Sequence, residues 1–323
     1  MTLNQLRALV EVAATGSVRR AASQLVVSQP AVSAAVAALQ RDLGITLIAR
    51  EGRGMVLTPA GRVFAGYARR ILGLLEEGRA AATGQLHPER GRLRLAAVTT
   101  AGEHVLPHFL ATFRANWPQA EVVLEVGNRS RVWELLGYRE VDLVIGGRPP
   151  AGSRFCMLAS RPNLLVVVAP KCGQPGSGGD GVQDGIRNVS VPELAAQVWL
   201  LREPGSGTRS TAEELFEELG ICPTTLTLGS NGAVRESVRA GLGVTLISRD
   251  AVARELEERV LEEWRGPGLP LRRAWHVVGR SGEELPPTAG LFLTDLANTG
   301  GAAGECFELT DRAAARATLP GRC

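Results

Sequence analysis

Three short stretches carry residue types suited to holding an anion. Ser206, Gly207 and Thr208, within "REPGSGTRS", stand just before a run with Ala212, Leu215, Phe216 and Leu219 at helical spacing. At the start of such a helix, backbone N–H groups and two hydroxyls could cradle an anion at the positive end of the dipole, with Arg209 adding charge. A helix cap made of serine, threonine and glycine is the plainer reading of the same letters. Thr99-Thr100-Ala101 and "GNRSR" from Gly127 occupy equivalent places, each after a β-rich run. Loops at strand ends are where open α/β sheets bind ligands. Small polar groups converging from several such loops are what a site for a small acid requires.

Catalytic chemistry finds no comparable support. His104 and His108 have the i, i+4 separation of helical zinc ligands, yet no glutamate follows His104 as H-E-x-x-H requires, and Pro107 breaks the local helix. "GSGTR" is not the G-x-S-x-G nucleophile elbow, and a phosphate-binding G-x-x-x-x-G-K-[ST] is absent from a chain whose only lysine is Lys171. The five cysteines are scattered, with no C-x-x-C pair, and read as ordinary thiols. The expectation is a protein that is not an enzyme, with no metal and no cofactor.

The elements that must position the anion loops alternate. β-rich runs at 92–98, 121–126 and 141–147 are separated by helix-like "EHVLPHFLATFRANW" and "RVWELLGY", and further β-runs follow at "NLLVVVA", "VWLLRE", "TLTLG", "GVTLIS" and "AWHVVG". This alternation argues for an α/β domain with mainly parallel sheets. "CGQPGSGGDGVQDG" (172–185) reads as a surface insertion. At 323 residues and 45% hydrophobic content, about two domains are expected. No apolar run reaches the roughly 18 residues of a membrane span, and no export signal opens the chain, so a cytoplasmic protein without a membrane is expected.

The front end opens as a series of helices. "LNQLRALVEVAATGS" places Leu3, Leu6, Leu9, Val10 and Ala13 at helical spacing and stops at Gly16. Ser17 suits the N-cap of "VRRAASQL", and Ser28 that of a third helix, with Pro30 in its first turn. On this third helix Val32, Val36, Leu39 and Leu43 form one stripe, which turns Gln29, Ser33, Ala34, Ala37 and Arg41 outwards. A helix with so slim a face fits the major groove of DNA, although an alanine-rich surface helix reads the same way. "GITLIAREGRGMVLTPAG" follows as a two-stranded wing with Arg50 and Arg53 at its tip. Residues 1–90 hold eleven arginines against six acids, whereas the whole chain carries only +3. Such asymmetry hints at nucleic acid.

After Pro59, Ala60, Val63, Phe64, Tyr67, Ile71, Leu74 and Leu75 continue a helical apolar seam to about residue 82. Burial against a second chain is the expectation for it, and packing on the neighbouring domain is the other reading.

Taken together, "GSVRRAASQLVVSQPAVSAAVAALQRDLGITLIAREGRGMVLTPAG" resembles the winged helix-turn-helix of LysR-type transcriptional regulators. Departures from the family pattern are Ala34 and Ala35, where polar or basic residues are common, and Ile48 in place of a wing phenylalanine. The resemblance implies an all-α winged helix-turn-helix with a long linker helix, then a two-lobed α/β effector domain similar to periplasmic binding proteins. It divides the chain into 1–58 for DNA binding, 59–88 for the dimerising linker, 91–300 for the effector domain and a tail, 301–323, without a convincing pattern and expected to be disordered. Lobe I would take 91–165 and 268–300, and lobe II 166–267. Ser28, Gln29, Pro30 and Ser33 would enter the groove, with Arg41, Arg50 and Arg53 contributing positive charge.

"EVGNRSRVWELL", "DLVIGGRPP" and "REPGSGTR" further resemble the branch regulating Calvin-cycle carbon-fixation operons. This implies a small anionic metabolite bound by Thr99, Thr100, Asn128, Arg148, Ser206, Gly207, Thr208 and Asn231. Implied partners are double-stranded DNA with a partly palindromic operator, a second copy of the chain in a dimer or tetramer, and RNA polymerase. The competing reading is a cytoplasmic small-molecule binding protein whose front helices serve only dimerisation.

Overall fold

The structure, a computed structural model, describes every residue except 53, 85–86, 172–181, 184, 301–305, 312 and 314–323. Its first three helices are α1 (Leu3–Thr15), α2 (Val18–Leu25) and α3 (Gln29–Leu43), and the capping residues set their ends. Ser17 accepts from the N–H of Arg20 and Ser28 from that of Ala31, satisfying donors that the first helical turn leaves over. Gly16 and Gly44 close α1 and α3 at φ 63° and 68°, a left-handed conformation that costs glycine least. The stripe of α3 is buried as the spacing predicts. Val32 and Val36 pack on Ala8, Val12, Ala21 and Ala22, while Leu39 joins Leu6, Leu9 and Leu47. The wing is an antiparallel pair, β1 (Ile48–Glu51) and β2 (Gly54–Leu57). Gln40 anchors it by accepting from the N–H groups of Leu47 (2.8 Å) and Ile48 (3.1 Å).

Helix α4 (Pro59–Gly84) corrects the expectation of a single apolar seam. Its apolar residues divide between two faces. Phe64, Ala65, Ala68 and Leu72 pack on the front domain, whereas Val63, Tyr67, Ile71 and Leu74 are exposed in the single chain. A third face, marked by Gly66, Gly73 and Glu77, docks on the following domain. A Cβ at Gly73 would lie 2.5 Å from the carbonyl oxygen of Tyr138 and 2.7 Å from Arg139 Cβ, so only glycine permits this approach. The docked face exists because Glu77, charged in the sequence, is buried between Arg139 (2.6 Å) and Arg280 (2.8 Å).

The remainder folds as two α/β lobes. Lobe I contains β3 (Arg92–Val98), α5 (Leu106–Asn116), β4 (Glu121–Gly127), α6 (Arg129–Gly137) and β5 (Leu143–Gly146), with β3 parallel to both neighbours. β6 (Phe155–Pro170) then runs on into the second lobe. There the chain forms β7 (Val182–Gln183), β8 (Ile186–Asn188), α7 (Val191–Ala195), β9 (Val198–Arg202), α8 (Gly207–Leu219), β10 (Thr224–Leu228), α9 (Asn231–Arg239), β11 (Thr245–Ser248), α10 (Ala253–Glu257) and β12 (Leu261–Arg265). β13 (Leu271–Arg280) returns along β6, and α11 (Pro287–Asn298) closes the first lobe. Each lobe has its own core, one around Phe109, Phe113 and Phe292, the other around Trp199, Leu215 and Trp264.

Two expectations are corrected. The sheet is mixed, because β6 is antiparallel to β11, β12, β13 and β14 (Glu308–Leu309), and β13 to β5. A strand that crosses between lobes has to be met by a returning one, which parallel crossovers do not supply. The tail is structured where described. Phe307 is buried, edge to face with Phe109 at 5.4 Å, and the Thr310 hydroxyl donates to the carbonyl of Leu158 at 3.1 Å. The reading of 172–185 as an insertion falls mostly on residues outside those described, but Val182–Gln183 pairs with β8.

Candidate functional site

Two surfaces collect the residues singled out above. On the front domain α2 and α3 cross at 107°, within the helix-turn-helix range. Ser28, Gln29, Pro30, Ser33 and Arg41 are all exposed along α3, and Arg50 is exposed on β1. Arg53 lies outside the described residues. The helix thus keeps its bulk inwards and offers a narrow polar edge, the shape that a major groove admits. No single helix among the described residues is long and apolar enough to cross a membrane.

Between the lobes lies a cleft of about 590 Å³. Thr99, Thr100, Asn128, Arg148, Ser206, Gly207 and Thr208 line it, so strand-end loops from both lobes converge there. Ser206 is the N-cap of α8, yet its side chain makes no capping bond; its Oγ lies 3.0 Å from Thr208 Oγ1. Asn128 does cap, accepting from the N–H of Arg131 at 3.0 Å. Gly205, at φ 90°, brings the second lobe's loop close to the Asn128 and Ser130 side chains.

Asn231 is placed differently from expectation. It is 2% exposed, and it is not among the residues lining the cleft. Its Nδ2 donates to Thr100 Oγ1 at 2.9 Å, while its Oδ1 accepts from Arg202. Its carboxamide is therefore already used in bridging the lobes. Arg209 turns away as well, donating to Glu213, to the carbonyl of Arg202 and to Thr227 Oγ1.

Sequence reasoning missed most of the cleft's charge. Among the described residues, Arg129, Arg202, Arg272 and Arg273 join Arg148 on its walls, against a single acid, Glu214. Adjacent arginines opening a β-rich run, as in "PLRRAWHVVG", were the available signal for two of them. Arg202 is buried and held by Glu203 at 2.8 and 2.9 Å. His276 also lines the cleft; burial, and then the Arg148 guanidinium, push its imidazole below the ordinary histidine range. Beneath the cleft the crossing strands are tied by Arg161 to Asp250 (3.0 Å), Trp275 Nε1 to Asp250 (2.8 Å) and Ser248 Oγ to Asn163 (2.8 Å). A pocket with five guanidinium groups, hydroxyls and one carboxylate is electrostatically suited to a small anion.

Comparison with known proteins identifies both domains. Residues 3–62 match the family described as bacterial regulatory helix-turn-helix protein, lysR family, and residues 87–300 the LysR substrate binding domain. The RuBisCO operon transcriptional regulator of Allochromatium vinosum is 36% identical over 293 residues, 90% of this chain and 94% of that protein. Among solved structures, the Synechocystis PCC6803 CcmR regulatory domain in complex with 2-PG is similar, with 29% identity, TM-score 0.56, and coverage of 63% of this chain and 94% of that one. A full-length OxyR variant from Pseudomonas aeruginosa shares the fold, with TM-score 0.65 at 23% identity over 90% of this chain and 92% of that one. The HTH-type transcriptional regulator CbbR of Rhodospirillum rubrum is 32% identical over 296 residues, 91% of this chain and 95% of that protein, so these relatives are transcriptional regulators.

Proposed function

The chain belongs to the LysR family of bacterial helix-turn-helix regulators, and from that premise we propose how its parts divide the work. Residues 1–58 read a DNA operator, 59–88 pair two subunits, and 91–300 sense a small anionic metabolite in the cytoplasm. Lobe I takes 91–165 and 268–300, lobe II 166–267. Gln29 and Ser33 reach base edges, with Ser28 and Pro30 fixing the entry of α3. Arg41, Arg50 and Arg53 neutralise phosphates.

The apolar face of Val63, Tyr67, Ile71 and Leu74 on α4 buries itself against a second copy, giving a dimer or tetramer that meets a partly palindromic operator. Bound there, the assembly acts on RNA polymerase. The likeness to a RuBisCO operon regulator supports carbon-fixation genes as targets.

The observation that carries the sensory half is the cleft itself, with five arginines facing one carboxylate. Thr99, Thr100, Asn128, Arg148, Ser206, Gly207 and Thr208 hold the anion, and Asn231 positions Thr100 and Arg202 around it. The similarity to a domain that holds 2-PG supports a phosphorylated acid as the ligand class. An effector changes the arrangement of the DNA-reading domains only through a preference for one arrangement over another. The experiment is DNase footprinting of the full-length protein on an upstream operator with increasing 2-PG. A shifted or shortened footprint supports the coupling; an unchanged footprint at saturating anion removes it.

A further inference from the structure

Resting on the reading of the cleft as an anion site, we infer that His276 is itself an anion-binding residue, presenting Nε2–H to the ligand and taking up a proton as the ligand binds. His276 lies on β13, one of the two strands that cross between the lobes, and its ring forms part of the cleft wall. In the sheet it faces Gly146 of β5 and Ser160 of β6, neither of them charged.

The buried nitrogen of the ring decides its tautomer. Nδ1 is enclosed and has no hydrogen-bond partner. An orphaned N–H there would be the costlier choice, since native interiors tolerate an unused lone pair better than an unused donor. The proton of the neutral ring therefore sits on Nε2, and on a residue that lines the cleft a donor is what an anion needs.

The charges around the ring make its titration sensitive to occupancy. Arg148 follows β5, Arg272 and Arg273 share its strand, Arg129 comes from α6, Arg202 from β9, and the only acid on the cleft wall among the described residues is Glu214 of α8. Glu308 of β14 lies at the same register beyond Ser160. Burial and the Arg148 charge keep the empty-state ring neutral near pH 7. The proton that makes the imidazolium goes to Nδ1, and the missing acceptor there adds to what keeps the empty-state ring neutral; a dianion placed among these groups cancels the arginine repulsion and attracts the ring's positive charge strongly enough to outweigh that cost, so its binding draws one proton from solvent. The group thus has a depressed affinity for protons when the cleft is empty and a raised one when it is filled. Anion affinity rises as pH falls through the bound-state value and levels off below the free-state value.

The test uses the full chain and sulfate, which keeps both charges between about pH 5.5 and 8.5, the range in which histidine titrates. Sulfate binding is measured by calorimetry at fixed ionic strength. In the wild type the dissociation constant increases with pH by up to about tenfold per unit across the window, as one linked proton requires. H276Q keeps an N–H donor and cannot titrate, so its sulfate affinity is flat with pH. H104Q, altering the other histidine with a buried ring nitrogen that makes no hydrogen bond, here 3.6 Å from a Glu103 carboxylate oxygen, keeps the wild-type slope. A slope that survives in H276Q, or a flat wild-type profile with sulfate bound, overturns the inference and leaves the anion site standing. No binding of sulfate or inorganic phosphate at any pH removes the anion site itself. NMR titration of the wild-type His276 ring reads the same claim without relying on the variants' folding. Its midpoint rises when sulfate is added, and an unmoved midpoint in a sulfate-bound protein overturns the inference.

Discussion

Thr100 Oγ1 in one lobe accepts a hydrogen bond from Asn231 Nδ2 in the other at 2.9 Å, and Asn231 Oδ1 accepts in turn from Arg202 on the cleft wall. The three side chains are each less than a tenth exposed, so water does not replace these bonds freely. Asn231→Ala leaves a hydroxyl and part of a guanidinium without partners, at a cost of about 1–3 kcal/mol. The expected outcome is a lower unfolding midpoint of the effector domain together with weaker sulfate binding. A midpoint equal to wild type would show that the bridge adds nothing to holding the lobes.

Two glycines of α4 offer an internal contrast. A Cβ at Gly78 meets nothing within 4 Å, whereas one at Gly73 runs into Tyr138 and Arg139. Gly78→Ala should therefore stabilise by about 1 kcal/mol through helix propensity alone. Gly73→Ala gains the same propensity but pushes α4 off lobe I, so it should destabilise and speed hydrogen exchange around Glu77 and Arg139. Equal stabilisation by both would place the docked contact in doubt.

Acid should loosen the same contact. Burial pushes the Glu283 carboxyl up, but the hydrogen bonds from Arg280 and Arg139 outweigh it and hold the group below the usual carboxylate range. A depressed folded value contributes stability that is present above the unfolded value and lost as pH falls through the folded one. Since Arg139 and Arg280 also grip Glu77, protection of α4 in hydrogen exchange should decline below the ordinary carboxylate range. Glu283→Gln should remove part of that pH dependence; an unchanged profile would assign the acid sensitivity elsewhere.

Val26 ends α2 at φ 55°, a left-handed conformation that a β-branched residue adopts only at a cost, and its side chain is 89% exposed. Nothing in its packing offsets that cost. Val26→Gly should raise the denaturation midpoint of the front domain by an amount worth about 1 kcal/mol. A lower midpoint would mean that the valine makes contacts in the turn that its exposure hides.

Local chemistry accounts for what the sequence made legible. Ser17, Ser28, Gly16 and Gly44 act within a few residues of themselves, and they mark the helix ends at which the structure places them. The strand-end loops of the cleft were likewise readable because each joins a β-rich run to a helical one. Other features depend on distant partners. "LEEWR" does not look like a buried strand, and β12 is held as one by β6 on one side and β8 on the other. The first half of β6, "FCMLASRP", is interrupted by serine, arginine and proline, and is held as a strand by β13 alongside it. Arg202, Arg272, Arg273 and His276 become neighbours only when two crossing strands bring the lobes together, and the same closure removes Asn231 from the cleft wall.

The central claim is that α3 reads a specific sequence on behalf of an anion-sensing domain. It is tested most directly by binding of the full-length protein to the DNA upstream of its own gene, against scrambled competitor at fixed salt, with Gln29→Ala, Ser33→Ala and Arg50→Ala alongside. The account predicts a clear preference for the upstream fragment. Gln29→Ala or Ser33→Ala should lose about 1–3 kcal/mol on that fragment and little on scrambled DNA, while Arg50→Ala weakens both and flattens the salt dependence. Equal affinity of the wild type for both DNAs at every salt concentration, with all three variants weakened uniformly, would contradict it.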